Sequence, residues 1–419
     1  MGLLPLHRDV PQWRKNQLAV VSSAVLIDAA FYLVMPALPQ FIRELGVASP
    51  RQVAAWTGVL MGISPLLAAL SGPAWGRIAD RHGLRLNALR TSTALCVAYL
   101  ASSFLTNVHQ LFGLRTLLGL AGGFQTLSIA LATQLSPRDR TAAVIGSLQI
   151  SQIATAAFSP FLGGMLTAAI GMRHTFRVSA ALCLTSVFLF ATLYRDGLPS
   201  GSRTVERHPQ NRGRMRELLA LPDFGILAAL LFLNTVIERG LQPLSTLFAV
   251  AHTGNPAASA WAAGLILSLA AAADSSAAWF CSRRMRLGFG RPLLLWRWSC
   301  GALLCGGLAM ANSIPQFLTW RVLLALLAGG TLTVSYTIAS HVIPESRRAA
   351  AFGFLSSCAL LGAGSGPLLA AAMSSYRLGA AFLADGLLYG VLVWLVLARL
   401  AARSPAARNV EAAKSALRP

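Results

Sequence analysis

Residues 76–85 read GRIADRHGLR and join two apolar blocks, 53–75 and 88–107. A helix needs about 20 mostly apolar residues to cross a bilayer. Both blocks reach that length, so together they predict two membrane-spanning helices joined by a short loop. Three arginines and one aspartate give this loop its charge.

The alternation of apolar blocks and charged loops continues along the whole chain. It predicts twelve spanning helices, at residues 17–42, 53–75, 88–107, 111–134, 142–168, 175–194, 223–250, 258–281, 292–312, 316–341, 348–373 and 379–402. Residues 195–222 are polar and rich in arginine, which predicts a solvated linker. The expected fold is therefore an all-α integral membrane protein in two six-helix pseudo-repeats. Its parts are an N-terminal bundle (1–194), the linker, a C-terminal bundle (223–402) and a tail (403–419).

The composition supports this fold and argues against other classes of protein. The 419 residues are 55% hydrophobic and 12% charged, whereas soluble domains carry about 25% charged residues. The net charge of +21 lies in short clusters between apolar blocks, as membrane loops require, and does not indicate nucleic-acid binding. The six cysteines fall inside apolar runs without a CxxC pair, so we expect no metal site and no disulfide framework. No phosphate-binding loop or catalytic constellation is present, and we expect neither a cofactor nor an enzyme.

Arginines concentrate in alternate loops and predict the orientation. The rich segments are Arg77/Arg81/Arg85/Arg90, Arg138/Arg140, the linker, Arg283/Arg284/Arg286/Arg291, Arg347/Arg348 and the tail. The intervening loops 107–111 and 251–258 carry only a histidine each, although Arg43, Arg51, Arg173, Arg177 and Arg377 are exceptions on that side. The positive-inside rule predicts an inner-membrane protein with both termini and the linker in the cytoplasm.

The two halves are related by a sequence offset of 206 or 207 residues. Matching landmarks are Pro36/Pro243, Arg115/Arg321, Pro137/Pro344, Gly146/Gly353 and Pro160/Pro367. Many transporter folds are built from such repeats, and their substrate sites lie between the repeats near the membrane midplane. The duplication therefore favours a transporter.

The loop 76–85 resembles the signature loop of the major facilitator superfamily, G-x-x-x-D-R-x-G-R-[KR]. The matching residues are Gly76, Asp80, Arg81, Gly83 and Arg85, and Leu84 departs from the pattern. Gly83 permits a tight turn. Asp80 can lie against a helix N-terminus or an arginine, so the loop is a candidate latch that breaks when the halves rock.

Within that superfamily, the chain is similar to the twelve-helix drug:proton antiporters of bacteria. Residues 30–39 are similar to the first-helix pattern of that family. Residues 114–123 resemble its R-x-x-x-G motif, whose arginine, here Arg115, is implicated in proton coupling. Residues 159–164 stand where the exporters have G-x-x-x-G-P-x-x-G-G, with Thr155 and Ser159 replacing the two leading glycines. The candidate helix-packing residues are Ser159, Pro160, Gly163, Gly164, Gly362, Gly366 and Pro367.

Two carboxylates lie halfway along the first and seventh spans, Asp28 and Glu238. An ionisable group at this depth costs at least ~2.5–3.5 kcal/mol on insertion, and such groups are functional candidates. Burial favours the neutral carboxyl, so each could exchange a proton for a polar or cationic substrate. The alternative for Asp28 is a structural hydrogen bond to a polar group of span four or five. For Glu238, the neighbouring Arg239 leaves both interpretations open.

Further polar residues inside the spans are candidates for the substrate cavity. They are Tyr32, Gln125, Gln149, Gln152, Asn234 and Tyr336, together with the two carboxylates. The amides could equally hold helices together. Asp274 and Asp385 are expected to form interhelical pairs, and Arg321 to reach the membrane interface.

These features together predict a monomeric, proton-coupled exporter of drugs or amphipathic small molecules. Its partners are the substrate, protons and the lipid bilayer. The alternatives are a dedicated exporter of a metabolite such as a siderophore or metallophore, a nutrient importer, or a membrane sensor without transport activity.

Overall fold

The computed structural model describes residues 12–121, 124, 127, 128, 131, 141–195, 224–285, 290–343 and 348–399. Within these ranges the regular structure is helical, and they contain no strand. The predicted linker beyond Arg195 and the tail 403–419 lie outside the described residues.

The first half contains seven helices among its described residues. They are α1 (Gln12–Val34), α2 (Leu38–Glu44), α3 (Pro50–His82), α4 (Leu84–Ser102), α5 (Val108–Ala121), α6 (Thr141–Ile170) and α7 (Met172–Leu193). The described part of the second half also contains seven. They are α8 (Phe224–His252), α9 (Pro256–Met285), α10 (Gly290–Ala309), α11 (Ile314–Ala328), α12 (Thr331–Val342), α13 (Arg348–Ser374) and α14 (Leu378–Arg399).

Each predicted span overlaps one helix or a pair of consecutive helices, and of the fourth span, 111–134, the structure describes residues 111–121 of α5 and four single residues beyond it. Nine segments of the described chain are long and apolar enough to cross a membrane. The remaining three predicted spans correspond to α4, α5 and α10. The fold class is therefore confirmed, an all-helical membrane protein in two related halves.

The first span is broken at Pro36, where the sequence predicts a continuous helix over 17–42. α1 ends at Val34, and α2 begins at Leu38 with Pro39 in its first turn. A proline lacks the backbone N–H of a helix interior but suits a helix start. Two prolines three residues apart thus end one helix and begin another. Pro243, the counterpart of Pro36, stands inside the continuous α8.

The tenth span is also broken, between α11 and α12. Gly330 has φ of 72°, in the left-handed region that favours glycine. The apolar window 316–341 predicts one helix, because a mean over about 20 residues does not register two consecutive glycines. The break leaves helix ends inside the membrane, where water cannot satisfy them.

Two charged side chains satisfy the helix ends at this break. Arg297 on α10 is buried, and its guanidinium donates to Leu326 O at 3.2 and 3.1 Å and to Leu327 O at 3.3 Å. Asp274 Oδ1 on α9 accepts from Gly330 N at 2.9 Å. A cation at the end of α11 and an anion at the start of α12 both match the helix dipoles.

The first half carries a counterpart of this arginine. Arg90 is 207 residues before Arg297, and its Nη2 donates to Ala121 O, where α5 ends, at 2.7 Å. The sequence interpretation counted Arg90 among the loop arginines, but it belongs to α4 and is half-buried. The duplication therefore includes an arginine that binds carbonyls of the neighbouring span.

The two halves meet through α3 against α13 and through α6 against α9. A Cβ added to Gly58 would overlap Pro367 O, and one on Gly164 would overlap Ala260 O. We call the membrane side of loop 76–85 the arginine-rich end. These glycine contacts lie toward the opposite, arginine-poor end, since α3 and α9 start there and α6 and α13 finish there. The halves are thus packed backbone to backbone at the arginine-poor end.

We expect Gly164→Ala to destabilise the protein, because its new methyl group must displace the Ala260 backbone of the other half. Overpacking of this kind costs about 1–3 kcal/mol. Gly146→Ala, on the same helix but with open space around it, is the matched control and should be neutral or stabilising. Thermal unfolding in detergent measures both variants. Equal melting temperatures for the two would contradict the close contact.

Candidate functional site

Two cavities lie between the halves and share a wall. The first, the C-lobe, has a volume of about 230 Å³, and the second, the N-lobe, about 240 Å³. Four residues line both: Tyr32, Met35, Arg239 and Gln242. Tyr32 and Arg239 are 207 residues apart, as are Met35 and Gln242, so the shared wall consists of equivalent positions of the two halves.

The N-lobe is mostly apolar and contains one carboxylate, Asp28. Its other polar groups include Tyr99 on α4 and Arg115 on α5. The Gln152 amide approaches Asp28 from α6, but its Nε2 is buried without a hydrogen-bond partner at bonding geometry. Asp28 therefore faces the cavity and also lies beside a polar group of span five, which keeps both interpretations of this residue open.

The C-lobe is more highly charged. It is lined by Glu238 and Arg239 on α8, Asp274 on α9, Arg321 on α11 and Tyr389 on α14. A lobe that brings carboxylates and guanidinium groups together inside the membrane can bind a polar or charged part of a ligand.

Asn234 lies behind Glu238 and fixes its orientation. Asn234 Nδ2 donates to Glu238 Oε1 at 2.9 Å. Its Oδ1 accepts from Trp298 Nε1 at 3.1 Å and from Thr331 Oγ1 at 2.8 Å. Asn234 is buried and does not line either lobe, so its contribution to the cavity is made through Glu238.

Two further predicted cavity residues, Tyr336 and Gln149, do not line either lobe. Tyr336 stacks on Phe352 with ring centroids 6.0 Å apart. Gln149 is exposed on α6, one turn before Ile153, which lines the C-lobe. Gln125 lies outside the described residues.

The candidate latch loop, 76–85, is helical except at Gly83: residues 76–82 end α3, and residues 84 and 85 begin α4. Gly83 has φ of 84°, which suits glycine. Arg81 is exposed, and Arg85 Nη2 donates to Ala191 O on α7 at 3.4 Å. Gly76 and Asp80 belong to α3, but their surroundings lie outside the described residues.

The predicted packing residues lie at close helix contacts. Gly163 fits against the Leu33 backbone of α1, while Gly362 and Gly366 fit against α8 carbonyls. Ser159 is buried in α6. Pro160 and Pro367 lie inside helices. The Pro160 carbonyl packs against Gly264 of the other half, and the Pro367 carbonyl packs against Gly58.

Sequence reasoning did not assign six polar residues to the cavity: Tyr99, Arg239, Gln242, Asp274, Arg321 and Tyr389. Asp274 lines the C-lobe and caps α12, where an interhelical pair was expected. Arg321 faces the same lobe, where a position at the interface was expected. Both charges lie within predicted spans, and this depth was the sequence signal that could have assigned them to the cavity. No comparable signal distinguishes a cavity tyrosine from one that packs between helices.

Comparisons with known proteins identify the family. The family model of the Major Facilitator Superfamily matches residues 20–314 and 289–419. The chain belongs to the major facilitator superfamily. The sequence resemblance is thereby confirmed, and membership indicates a multi-pass membrane transporter and not an enzyme.

Members of the superfamily with curated names or solved structures are similar over most of the chain. Multidrug resistance protein MdtG of Escherichia coli (strain K12 / DH10B) is 28% identical over 386 residues, which cover 90% of this chain and 93% of that protein. A bacterial homologue of the human lysosomal transporter Spinster, in an inward-facing conformation, has a TM-score of 0.69 at 17% identity, covering 92% of this chain and 94% of its own. The nucleoside transporter NupG has a TM-score of 0.72 at 12% identity, covering 92% and 99%. These two structures show the shared fold.

We expect Asn234→Ala to destabilise the protein, because it leaves Trp298 Nε1 and Thr331 Oγ1 without their shared acceptor. A buried donor without a partner costs about 1–3 kcal/mol. Asn312→Ala, at an exposed position, serves as the control in thermal unfolding. If Asn234→Ala melted together with this control, the hydrogen-bonded position of Asn234 would be wrong.

Proposed function

We propose that this chain is a proton-coupled exporter of amphipathic small molecules, with Asp28 and Glu238 as the groups that exchange protons for substrate. One observation carries the proposal. The two halves each present one of these carboxylates to adjoining lobes, and the lobes share the wall that contains Tyr32 and Arg239.

The shape and lining of the lobes favour an amphipathic substrate. The N-lobe offers apolar surface from residues such as Ile27, Phe31 and Met61, whereas the C-lobe offers charge. Together the two volumes fall within the ~300–1,000 Å³ of typical small-molecule sites. An apolar body in the N-lobe and a polar or cationic group in the C-lobe would fill both.

Arg239 provides an electrostatic connection between the two carboxylates. Its guanidinium acts on Asp28 in the N-lobe and on Glu238 in the C-lobe. When either carboxylate takes a proton, this arginine loses its attraction to that group and keeps its attraction to the other. Arg115 adds a second positive charge to the N-lobe, consistent with a part in coupling.

Packing at the arginine-poor end supports the direction of transport. The glycine contacts between the halves close this end, and we propose that the cavity opens toward the arginine-rich end. With the arginine-rich loops, the linker and both termini in the cytoplasm of an inner membrane, substrate enters from the cytoplasm. Rocking of the halves then releases it outside. Export also agrees with the name of the relative MdtG, a multidrug resistance protein.

We expect Asp28→Asn and Glu238→Gln each to reduce substrate-driven proton flux at least about tenfold, the scale of coupling between two ligand sites. The protein is reconstituted into liposomes that contain a pH-sensitive dye, and cationic drugs, antibiotics and iron chelators are screened. Glu44→Gln, an exposed acid outside both lobes, is the control and should match wild type.

Undiminished flux in Asp28→Asn would remove that residue from proton coupling and favour its structural contact with Gln152. If one chelator or metabolite drove proton flux and all other compounds were inactive, the protein would be a dedicated exporter of that compound and not a broad exporter.

Binding of a lipophilic cation should weaken as the pH falls, because protonation removes the negative charge that attracts it. We expect wild type to lose affinity for tetraphenylphosphonium between about pH 8 and about pH 5, and Asp28→Asn to show a flatter profile. Equilibrium binding to purified protein in detergent measures both. Identical pH profiles for the two proteins would contradict the role of Asp28 in binding.

A further inference from the structure

The break in the tenth span opens directly onto the C-lobe. Gly329, at the break, lines this lobe together with Asp274. A Cβ on Gly329 would overlap Asp274 Oδ1, so the carboxylate packs closely against the broken backbone. A charged side chain of the cavity is therefore in direct contact with the end of a helix.

We propose that Asp274 is a coupling residue that links the charge in the C-lobe to the conformation of the tenth span. As a carboxylate it holds the start of α12, and it releases this helix end when it takes a proton or binds a cationic group of the substrate. The inference rests on the proposed function, since it concerns the same cavity and the same proton exchange.

The two oxygens of Asp274 have different surroundings. Oδ1 accepts from Gly330 N at 2.9 Å. Oδ2 has no hydrogen-bond partner among the described residues. It is also absent from the buried polar atoms that lack a partner, so this oxygen is accessible and open to the cavity. One oxygen is thus bound to α12 while the other is available to a proton or a ligand.

Glu238 is connected to the same helix end by a second path. Thr331, the first residue of α12, donates to Asn234 Oδ1, and Asn234 donates in turn to Glu238 Oε1. The start of α12 is therefore bound to Asp274 directly and to Glu238 through one amide. A change of charge on either carboxylate acts on the same two residues, Gly330 and Thr331.

The charges around Asp274 favour one proton shared between the carboxylates of Asp274 and Glu238. Glu238 and Arg239 face it from α8, Arg297 from α10 and Arg321 from α11. Arg297 is engaged by the α11 carbonyls and by Cys281 Sγ at 3.0 Å, and α6, packed along α9, has no titratable residue. No direct ion pair with Asp274 forms within the described chain. Two neighbouring carboxylates repel each other when both are charged, so a proton on either relieves the repulsion.

This arrangement is specific to the second half. At the same offset of 207 residues, Leu67 stands for Asp274, Ile27 for Asn234 and Phe124 for Thr331. The arginine that binds carbonyls is common to both halves, as Arg90 and Arg297, but the acid at the start of the next helix is not. By sequence, the first half therefore lacks the acid, the amide and the hydroxyl on which the proposed role of Asp274 depends.

The test measures the distance across the break. Spin labels are attached through unnatural amino acids at the exposed positions Thr319 on α11 and Thr333 on α12, which leaves the native cysteines in place. In wild type we expect this distance to change between about pH 8 and about pH 5, and again with saturating tetraphenylphosphonium. An unchanged distance in wild type would overturn the proposal without any variant.

Two substitutions separate charge from structure. Asp274→Asn keeps an acceptor for Gly330 N but cannot titrate, so we expect it to hold the low-pH distance at every pH and to lose proton flux about tenfold. Asp274→Ala removes the acceptor as well, and is expected to give the same distance with lower thermal stability. Ser276→Ala, at an exposed position of α9 that lines neither lobe, should behave as wild type. A wild-type pH response in Asp274→Asn would overturn the proposal.

The same variants distinguish this inference from the proposed function. If Asp28→Asn retains full flux while the distance still depends on Asp274, the assignment of Asp28 fails and the role of Asp274 stands. If Asp28→Asn and Glu238→Gln lose flux but the distance is insensitive to pH, the proposed function stands and the role of Asp274 fails.

Discussion

Inside a bilayer no water is available to bind an exposed backbone group, and this constraint explains the placement of the buried charges. The tenth span can be broken only because Arg297 binds the carbonyls that end α11 and Asp274 binds the N–H that starts α12. Asp274 also lines the cavity, so the group that permits the break also faces the space proposed for the substrate. A structural role and a place in the cavity lining are thus combined in one side chain.

The absence of side chains at particular glycines determines how the halves meet. Gly58 and Gly164 bring backbones of opposite halves into contact at the arginine-poor end. Such a contact has little conformational freedom of its own, because interdigitated backbones either fit or separate. The proposed rocking of the halves would therefore have to separate such a pair of surfaces as a whole.

Most of the fold could be predicted from the sequence, since span length, arginine distribution and the repeat offset are set by lipid and by duplication. The breaks could not, because hydropathy averages over about 20 residues and is insensitive to the Gly329–Gly330 pair. The charge at Glu238 was visible as an intramembrane acid. The role of Asn234 behind it was not, because the identity of a hydrogen-bond partner depends on which helices become neighbours. For the same reason Tyr336, a tyrosine inside a predicted span like Tyr389, packs on Phe352 and does not line either lobe.

The shared wall between the lobes has a consequence for how substrates compete. Two small ligands, one in each lobe, would contact different faces of Tyr32 and Arg239 and could occupy the protein at once. A larger ligand would have to extend past these side chains and would exclude both. Inhibition between a pair of small substrates would then be noncompetitive, while a bulky substrate would compete with each of them. Kinetic competition would accordingly depend on molecular size more than on chemical class.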